Sequence, residues 1–124
     1  MAQKTSLQVY ALAGRVHTFS AKTAGGGELV WTSYGVPFLY TAANWGTVVI
    51  YLQTYMKATS GTVYSRLYDT TSSAAVASSE LSTAATSYTS SRSSALTLTD
   101  GHIYMVQHGT TGAGETRGDE LIII

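Results

Sequence analysis

Alternation of apolar and polar residues with a period of two, broken by glycine-containing turns, is the feature that most constrains this fold. It is clearest over 47–58, where Ile50 and Leu52 share one face and Tyr51 and Tyr55 share the other. A period of two is typical of a β-strand with one buried face, because successive side chains of a strand point to opposite sides. We therefore expect an all-β protein.

The segment 62–70 continues this alternation after a turn at Ser60-Gly61. Two alternating segments joined by a short turn predict a β-hairpin, so we expect 47–58 and 62–70 to pair with each other. A second hairpin is expected around the Asp100-Gly101 turn. Further strands are expected at 7–12, 16–22, 28–34, 87–98, 102–109 and 120–124, and Pro37 is expected to end the third of these. The segment 72–86 is expected to form a short edge strand with a loop. Turns or loops are expected at Gly25-Gly26-Gly27 and 112–118.

The chain closes on a run of four large apolar residues. Leu121 and Ile123 fall on one face of the predicted last strand, and Ile122 and Ile124 fall on the other. A strand that is apolar on both faces would promote aggregation at an exposed sheet edge. The last strand is therefore expected to be central in a sheet or to be covered by another subunit.

Length and strand number together predict the architecture. A chain of 124 residues fits one domain spanning 1–124. About eight or nine short strands without a helix predict an antiparallel two-sheet β-sandwich of the jelly-roll type. The segment 1–44 is a candidate to include an N-terminal docking arm.

Charge is scarce in this sequence. Only 11% of residues are charged and the formal net charge is zero, whereas about 25% is typical of soluble domains. The seven basic residues are scattered singly, so we expect no nucleic-acid partner. Low charge also weakens the repulsion that keeps protein surfaces apart, which favours self-association.

Targeting and crosslinking features are not found in the sequence. Cysteine is absent, which excludes a fold held together by disulfides. Neither a leader pattern nor an apolar run of membrane-spanning length is present, so we expect a protein made in the cytoplasm with no membrane partner.

From Trp45 onward the chain resembles a jelly-roll module that recurs in virion proteins of tailed bacteriophages. The matching pieces are Trp45 at a strand entry, Arg66-Leu67-Tyr68-Asp69-Thr70, Ser87-Tyr88, Leu96-Thr97-Leu98-Thr99-Asp100-Gly101-His102, Tyr104-Met105-Val106-Gln107 and Glu120-Leu121-Ile122. The resemblance covers about two-thirds of the chain. Such modules occur as capsid decoration proteins and as tail or fibre components, and they are similar in outline to carbohydrate-binding jelly rolls.

The resemblance implies a non-enzymatic structural protein of a bacteriophage virion. The leading hypothesis is a capsid decoration (cement) protein that binds the major capsid protein at the capsid surface and bridges its subunits. A closed homo-oligomer, first of all a trimer, would match the three-fold positions of an icosahedral lattice. The alternatives are a tail or fibre module and a carbohydrate-binding module.

No catalytic set and no cofactor site is recognised in the sequence. His102 and His108 share strand parity, but six residues along a strand span about 20 Å, too far for one metal ion. Pairing with His17 across strands stays open, and a structural role is favoured over zinc. The acidic residues Asp69, Asp100, Asp119 and Glu120 lie near predicted turns, and a calcium site there is a minor alternative to turn formation. The tripeptide Arg117-Gly118-Asp119 matches a receptor-attachment sequence, for which chance is the preferred explanation.

Four tyrosines form the candidate interface, together with Leu121, Ile122, Ile123 and Ile124. Tyr51, Tyr55, Tyr64 and Tyr68 share one parity of the two strands expected to pair. On paired strands they would form a ladder of cross-strand aromatic neighbours. Packing on an outer sheet face, a protein interface and a sugar-stacking platform remain three open interpretations of this ladder.

Overall fold

The computed structural model describes residues 31–124 in full and residues 8–13 and 17–20 as strand backbone. Ten strands and one short helix make up the described chain. Their bounds are β1 Gln8–Ala13, β2 His17–Ser20, β3 Thr32–Leu39, α1 Ala42–Trp45, β4 Ile50–Ser60, β5 Val63–Asp69, β6 Ala74–Ala75, β7 Leu81–Thr83, β8 Thr89–Arg92, β9 Ile103–Thr110 and β10 Ala113–Ile123.

The strands form two antiparallel sheets, which confirms the all-β sandwich. The first sheet has the order β1-β10-β4-β8, and β2 pairs with β10 beyond the end of β1. The second has the order β3-β9-β5-β6, and β7 pairs with β5 beside β6. When β1 with β2, and β6 with β7, are each counted as one interrupted strand, this order is that of a jelly roll.

The core lies between the two sheets and is supplied by alternate residues of the long strands. Ile50 and Leu52 of β4 and Leu121 of β10 meet Leu67 of β5 and Tyr104 of β9, all of them buried. A smaller cluster of Met56, Ala58 and Val63 closes one end of the sandwich. The period of two in the sequence therefore separates core from surface, as expected.

One glycine allows the two sheets to approach closely. A Cβ atom at Gly114 of β10 would lie 2.1 Å from the Cγ1 atom of Val63 and 2.6 Å from the carbonyl oxygen of Lys57. These distances are far below van der Waals contact, so only glycine fits where β10 passes over the start of β5.

The predicted pairing of 47–58 with 62–70 is wrong. β4 pairs with β10 and β8 in the first sheet, whereas β5 pairs with β9, β6 and β7 in the second. The turn itself is present, with Gly61 at φ +66°. The chain uses this turn to cross from one sheet to the other, because two packed sheets bury more apolar surface than a single hairpin does.

The second predicted hairpin is wrong for the same reason. The turn at Asp100-Gly101 exists, with Gly101 at φ +81°. However, β8 precedes it in the first sheet and β9 follows it in the second. The predicted edge strand in 72–86 is confirmed, since β6 and β7 lie at the edge of the second sheet.

Two local predictions near β3 and α1 are also corrected. Pro37 lies inside β3 rather than ending a strand, at a register shift between Tyr34 and Phe38 where its missing amide hydrogen is tolerated. Trp45 belongs to α1 rather than to a strand entry, and its ring stacks on that of Phe38 with 5.9 Å between centroids.

The last strand is central in its sheet, which is one of the two alternatives predicted for it. β10 lies between β1 and β4, and Leu121, Ile122 and Ile123 are buried while Ile124 is exposed. The predicted loop at 112–118 is wrong, because β10 already begins at Ala113.

The described part of segment 1–44 contributes strands to both sheets. The docking-arm prediction for the other positions, and the predicted turn at Gly25-Gly26-Gly27, lie outside the described residues.

Candidate functional site

The outward residues of β8, β4 and β10 lie side by side on the first sheet. In the β4–β10 register Gln53 lies opposite Glu120 and Lys57 opposite Glu115, and in the β4–β8 register Gln53 lies opposite Arg92. A register irregularity between Thr116 and Gly118 leaves Arg117 as an extra, exposed residue of β10. We call this surface the polar-aromatic face; it consists of Tyr51, Gln53, Tyr55, Lys57, Tyr88, Ser90, Arg92, Glu115, Arg117 and Glu120.

Two stacked tyrosines form its aromatic part. The rings of Tyr55 and Tyr88 have centroids 5.0 Å apart and an interplanar angle of 21°. The Arg117 guanidinium lies 4.8 Å and the Lys57 ammonium 5.1 Å from the centroid of the Tyr88 ring, within the range of cation–π attraction. Tyr55 remains 41% exposed, so part of its ring is open to a ligand.

A hydrogen bond fixes the inner tyrosine. The Tyr88 hydroxyl donates to a carboxylate oxygen of Glu115, which also forms an ion pair with Lys57 at 3.5 Å. Burial, together with this hydrogen bond to Glu115, raises the pKa of the Tyr88 hydroxyl above its ordinary value. Tyr88 is therefore a neutral donor held in one orientation, and it supports the ring of Tyr55.

A relay of polar side chains forms the other part of the face. The Nε–H of Arg92 donates to Oε1 of Gln53 at 3.1 Å, and Nε2 of Gln53 donates to Oε1 of Glu120 at 2.9 Å. The relay sets the orientation of the Gln53 amide, because its oxygen faces a donor and its nitrogen faces an acceptor. The Arg92 guanidinium also lies 5.7 Å from the ring centroid of Tyr51.

A cavity of about 330 Å³ opens between the aromatic and the polar parts. Its volume lies at the small end of the range for ligand pockets, about 300–1,000 Å³. The lining residues are Gln53, Thr54, Tyr55, Ser90, Arg117, Gly118 and Glu120.

The predicted ladder of four tyrosines is not formed. Tyr51 and Tyr55 lie on the polar-aromatic face, whereas Tyr64 and Tyr68 project from β5 on the opposite side of the sandwich. The shared parity of the two strands is real, but the crossing at Gly61 places them in different sheets. Whether either pair is an interface stays a prediction.

Tyr64 and Tyr68 belong to a second aromatic group, around Arg66. The Arg66 guanidinium lies 3.9 Å from the centroid of the Trp31 ring and 5.5 Å from that of Tyr68, and its Nε–H donates to Gln107 at 2.9 Å. Desolvation by burial lowers the pKa of Arg66. The negative charge of Glu80 raises this pKa, but by less than burial lowers it. Arg66 is therefore held in place by neighbours on the outer face of the second sheet.

Asp119 is buried, which rules out the receptor-attachment interpretation of Arg117-Gly118-Asp119 in this fold. Its carboxylate accepts hydrogen bonds from the hydroxyls of Thr54, at 2.7 Å, and Ser65, at 2.8 Å. Its other oxygen lies 2.7 Å from Nε2 of His108, and both side chains have no solvent exposure. Ser65 bonds to the carboxylate and lies in the interior, so this group joins the two sheets rather than forming an accessible catalytic triad.

The other two aspartates considered in the sequence, Asp69 and Asp100, accept hydrogen bonds from backbone amides at turns and element ends. Asp69 accepts hydrogen bonds from the amides of Thr71 and Ser72 and lies 2.7 Å from Nδ1 of His102. Asp100 accepts a hydrogen bond from the amide of Ala42 at 2.8 Å.

In the described part of the chain, no group of three or more potential ligands could hold a metal ion. Across the same ranges, no helix has the length and apolar character needed to cross a membrane.

Sequence reasoning missed most of the polar-aromatic face. Gln53, Tyr88, Arg92, Arg117 and Glu120 come from three strands that are far apart in the chain. The only local indication was parity: Gln53 and Tyr55 are i and i+2 on β4, and Tyr88, Ser90 and Arg92 alternate on β8 and just before it. This parity shows which residues share a face of one strand, but it does not show which strands lie next to each other in the sheet.

Comparisons with known proteins give one similarity of fold. No protein-family model and no curated protein matches the sequence. Among solved structures, the chain is similar to the C-terminal CBM6 module of LamC, a marine laminarinase from Zobellia galactanivorans, with 16% identity and a TM-score of 0.49. The alignment covers 94% of this chain and 98% of that module. At this identity and TM-score the similarity carries no information about what this chain binds.

Proposed function

We propose that this protein is a non-catalytic carbohydrate-binding module and that the polar-aromatic face is its binding site. The observation that carries the proposal is the partly exposed ring of Tyr55, which borders a small cavity whose other walls are hydrogen-bonding side chains held in place by one another.

The chemistry of a sugar matches the two parts of this face. The C–H side of a pyranose ring is apolar and packs on an aromatic ring, whereas its hydroxyls need donors and acceptors at fixed positions. Tyr55 supplies the ring. Gln53 and Glu120, already oriented by their mutual hydrogen bond, supply the polar positions with little loss of side-chain entropy on binding.

The size and shape of the cavity favour a short glycan segment. A volume of about 330 Å³ is small for a drug-sized ligand. The cavity also lies on a sheet surface, so a longer chain could continue across the face on either side of the bound segment.

Affinity electrophoresis on polysaccharide gels, followed by calorimetry with a retained glycan, tests the proposal. Tyr55→Ala is expected to weaken binding by about tenfold or more, since an aromatic contact contributes about 0.5–1.5 kcal/mol beyond its area burial. Tyr64→Ala, on the opposite face, is the matched control and is expected to bind normally. Equal loss in both variants, or no retention on any polysaccharide, would contradict the proposal.

A virion structural protein is the second candidate, and the other sheet favours it. Leu39 and Ile103 lie opposite each other on β3 and β9, and they are 55% and 42% exposed. Exposed aliphatic neighbours suit a protein contact better than a sugar. Stable addition of the purified protein to bacteriophage capsids, lost in a Leu39→Ser/Ile103→Ser variant but kept in Tyr55→Ala, would support this candidate, with the major capsid protein as partner.

A further inference from the structure

The charges of the polar-aromatic face are not fully compensated within it. The face carries the cations Lys57, Arg92 and Arg117 and the carboxylates Glu115 and Glu120. It therefore has a formal charge of one positive, in a chain whose formal net charge is zero.

Within this face, the two carboxylates are engaged by residues other than Arg117. Glu115 is engaged by Lys57 and by the Tyr88 hydroxyl. Glu120 is linked through the Gln53 amide to Arg92. Among the described residues, no carboxylate forms an ion pair with Arg117.

The position of Arg117 is set by its aromatic neighbour and by the bulge. Its guanidinium lies 4.8 Å from the centroid of the Tyr88 ring, and it lines the cavity together with Tyr55 and Gly118. The guanidinium also interacts with the Tyr88 hydroxyl. Because a guanidinium carries five N–H donors, others remain available for further hydrogen bonds. Arg117 is therefore an exposed, ordered cation at the wall of a ligand-sized cavity.

We propose that the polar-aromatic face selects glycans that carry an anionic group, a carboxylate or a sulfate ester, and that Arg117 binds this group while Tyr55 packs on the sugar ring. This inference rests on the proposed carbohydrate-binding function and adds the class of sugar. The planar guanidinium forms two parallel hydrogen bonds with a carboxylate or a sulfate, which gives geometric specificity as well as attraction.

Glu120 restricts where the anion can bind. A carboxylate on the ligand would be repelled by Glu120 and attracted by Arg117, so only one orientation of an acidic sugar is favoured. In that orientation the hydroxyls of the sugar lie beside the acceptor oxygens of Glu120, and its anionic group lies beside Arg117.

Matched pairs of polysaccharides test the inference. The probes are polygalacturonic acid and its methyl ester, and a sulfated galactan and its desulfated product, each measured by affinity electrophoresis and calorimetry. The wild-type protein is expected to bind at least one acidic probe about tenfold or more tightly than its uncharged counterpart. Which pair shows the preference identifies the carboxylate or the sulfate as the anion. The preference is expected to shrink as salt is raised from 50 to about 500 mM, because salt screens exposed charges.

Two arginine variants separate the site from net charge. Arg117→Gln is expected to abolish the preference, so that the acidic and the uncharged probe bind this variant with equal affinity. Arg66→Gln removes the same charge from the opposite face and is expected to keep the preference. Arg117→Lys keeps the charge without the planar fork and is expected to retain only part of it.

The outcomes distinguish failure of this inference from failure of the proposed function. If the wild-type protein binds acidic and uncharged probes with equal affinity, and Tyr55→Ala binds neither, the anion preference is overturned and the carbohydrate-binding proposal stands. Loss of preference in Arg66→Gln to the same extent as in Arg117→Gln would also overturn it. If no probe of either kind binds, both proposals fail.

Discussion

His108 of β9 and Asp119 of β10 join the two sheets through the interior, with 2.7 Å between Nε2 and a carboxylate oxygen and no solvent exposure on either side chain. The other carboxylate oxygen accepts hydrogen bonds from Thr54 and Ser65. Each polar atom of the carboxylate is thus satisfied away from water, which is the condition under which a buried acidic group is tolerated.

Replacing Asp119 is expected to destabilise the fold strongly. Asp119→Ala leaves His108, Thr54 and Ser65 without their shared acceptor, and breaking a buried pair of this kind costs about 3–5 kcal/mol. Urea denaturation followed by circular dichroism measures the change in unfolding free energy. Glu80→Ala, at an exposed position, is the control and is expected to fall within about 0.5 kcal/mol of wild type. An equally small change for Asp119→Ala would show that the network does not stabilise the sandwich.

Two buried threonines are expected to respond in opposite directions when replaced by valine. The Thr116 hydroxyl is buried and has no hydrogen-bond partner among the described residues, so Thr116→Val is expected to raise stability by about 1 kcal/mol. Thr54 donates to Asp119, so Thr54→Val is expected to lower stability by about 1.5–3 kcal/mol. Thermal denaturation of both variants beside wild type checks the signs. Destabilisation by Thr116→Val would indicate that its hydroxyl has a partner.

Deleting residues 121–124 is expected to unfold the domain. The deletion removes three buried aliphatic side chains, each contributing about 1.5–3 kcal/mol, and it shortens both the β1–β10 and the β4–β10 ladders. A domain's total stability is only about 5–15 kcal/mol. Ile124→Ser, at a 45% exposed position, is the control and is expected to stay folded. A cooperative melting transition at the wild-type temperature in the truncated chain would refute the central role of this strand.

Acid sensitivity is expected to depend on Asp69. Burial opposes ionisation of this carboxyl, but hydrogen bonds from His102 and Ser72 together outweigh burial and hold the pKa of Asp69 below its ordinary value. A carboxyl with a lowered pKa in the folded state stabilises the fold above its unfolded pKa, about 3.9. This contribution is lost as the pH falls through the folded pKa.

Unfolding free energies of wild type and Asp69→Asn measure this contribution. The wild type is expected to be more stable at neutral pH, and the gap is expected to narrow steadily below about pH 4. Urea titrations between about pH 2 and 7 supply the profile, with Glu80→Gln as a control for the loss of one carboxylate. A gap that stays constant down to the lowest pH would show that ionised Asp69 does not stabilise the folded state.

The alternation in the sequence was sufficient to predict the sandwich, because residues such as Leu52 reveal locally which face of a strand is apolar. The unbroken apolar run 121–124 limited the last strand to two positions, central in a sheet or covered by another subunit, and the structure decides for the first. The alternation could not reveal that β4 and β5 lie in different sheets. A short turn at Ser60-Gly61 serves a hairpin and a sheet crossing equally well, and only packing of the whole core decides between them.

The candidate site was less predictable than the fold. Tyr55 was singled out from the sequence, but its expected neighbours Tyr64 and Tyr68 lie on the far side of the domain. Its actual neighbour, Tyr88, comes from a segment rich in serine and threonine, where the alternation shows which residues share a face but not which strand lies beside them. Contacts between residues on strands far apart in the chain depend on the sheet order, which no local pattern contains.

Along β10, residues that line the cavity alternate with residues that stabilise the interior. Arg117 and Glu120 face outward, while Asp119 and Leu121 face inward. Substitutions at the outward positions leave the interior contacts unchanged, so the proposed binding surface on this strand can be altered one residue at a time without loss of folding. The contribution of β10 to stability and its contribution to the proposed site are therefore separable by mutation.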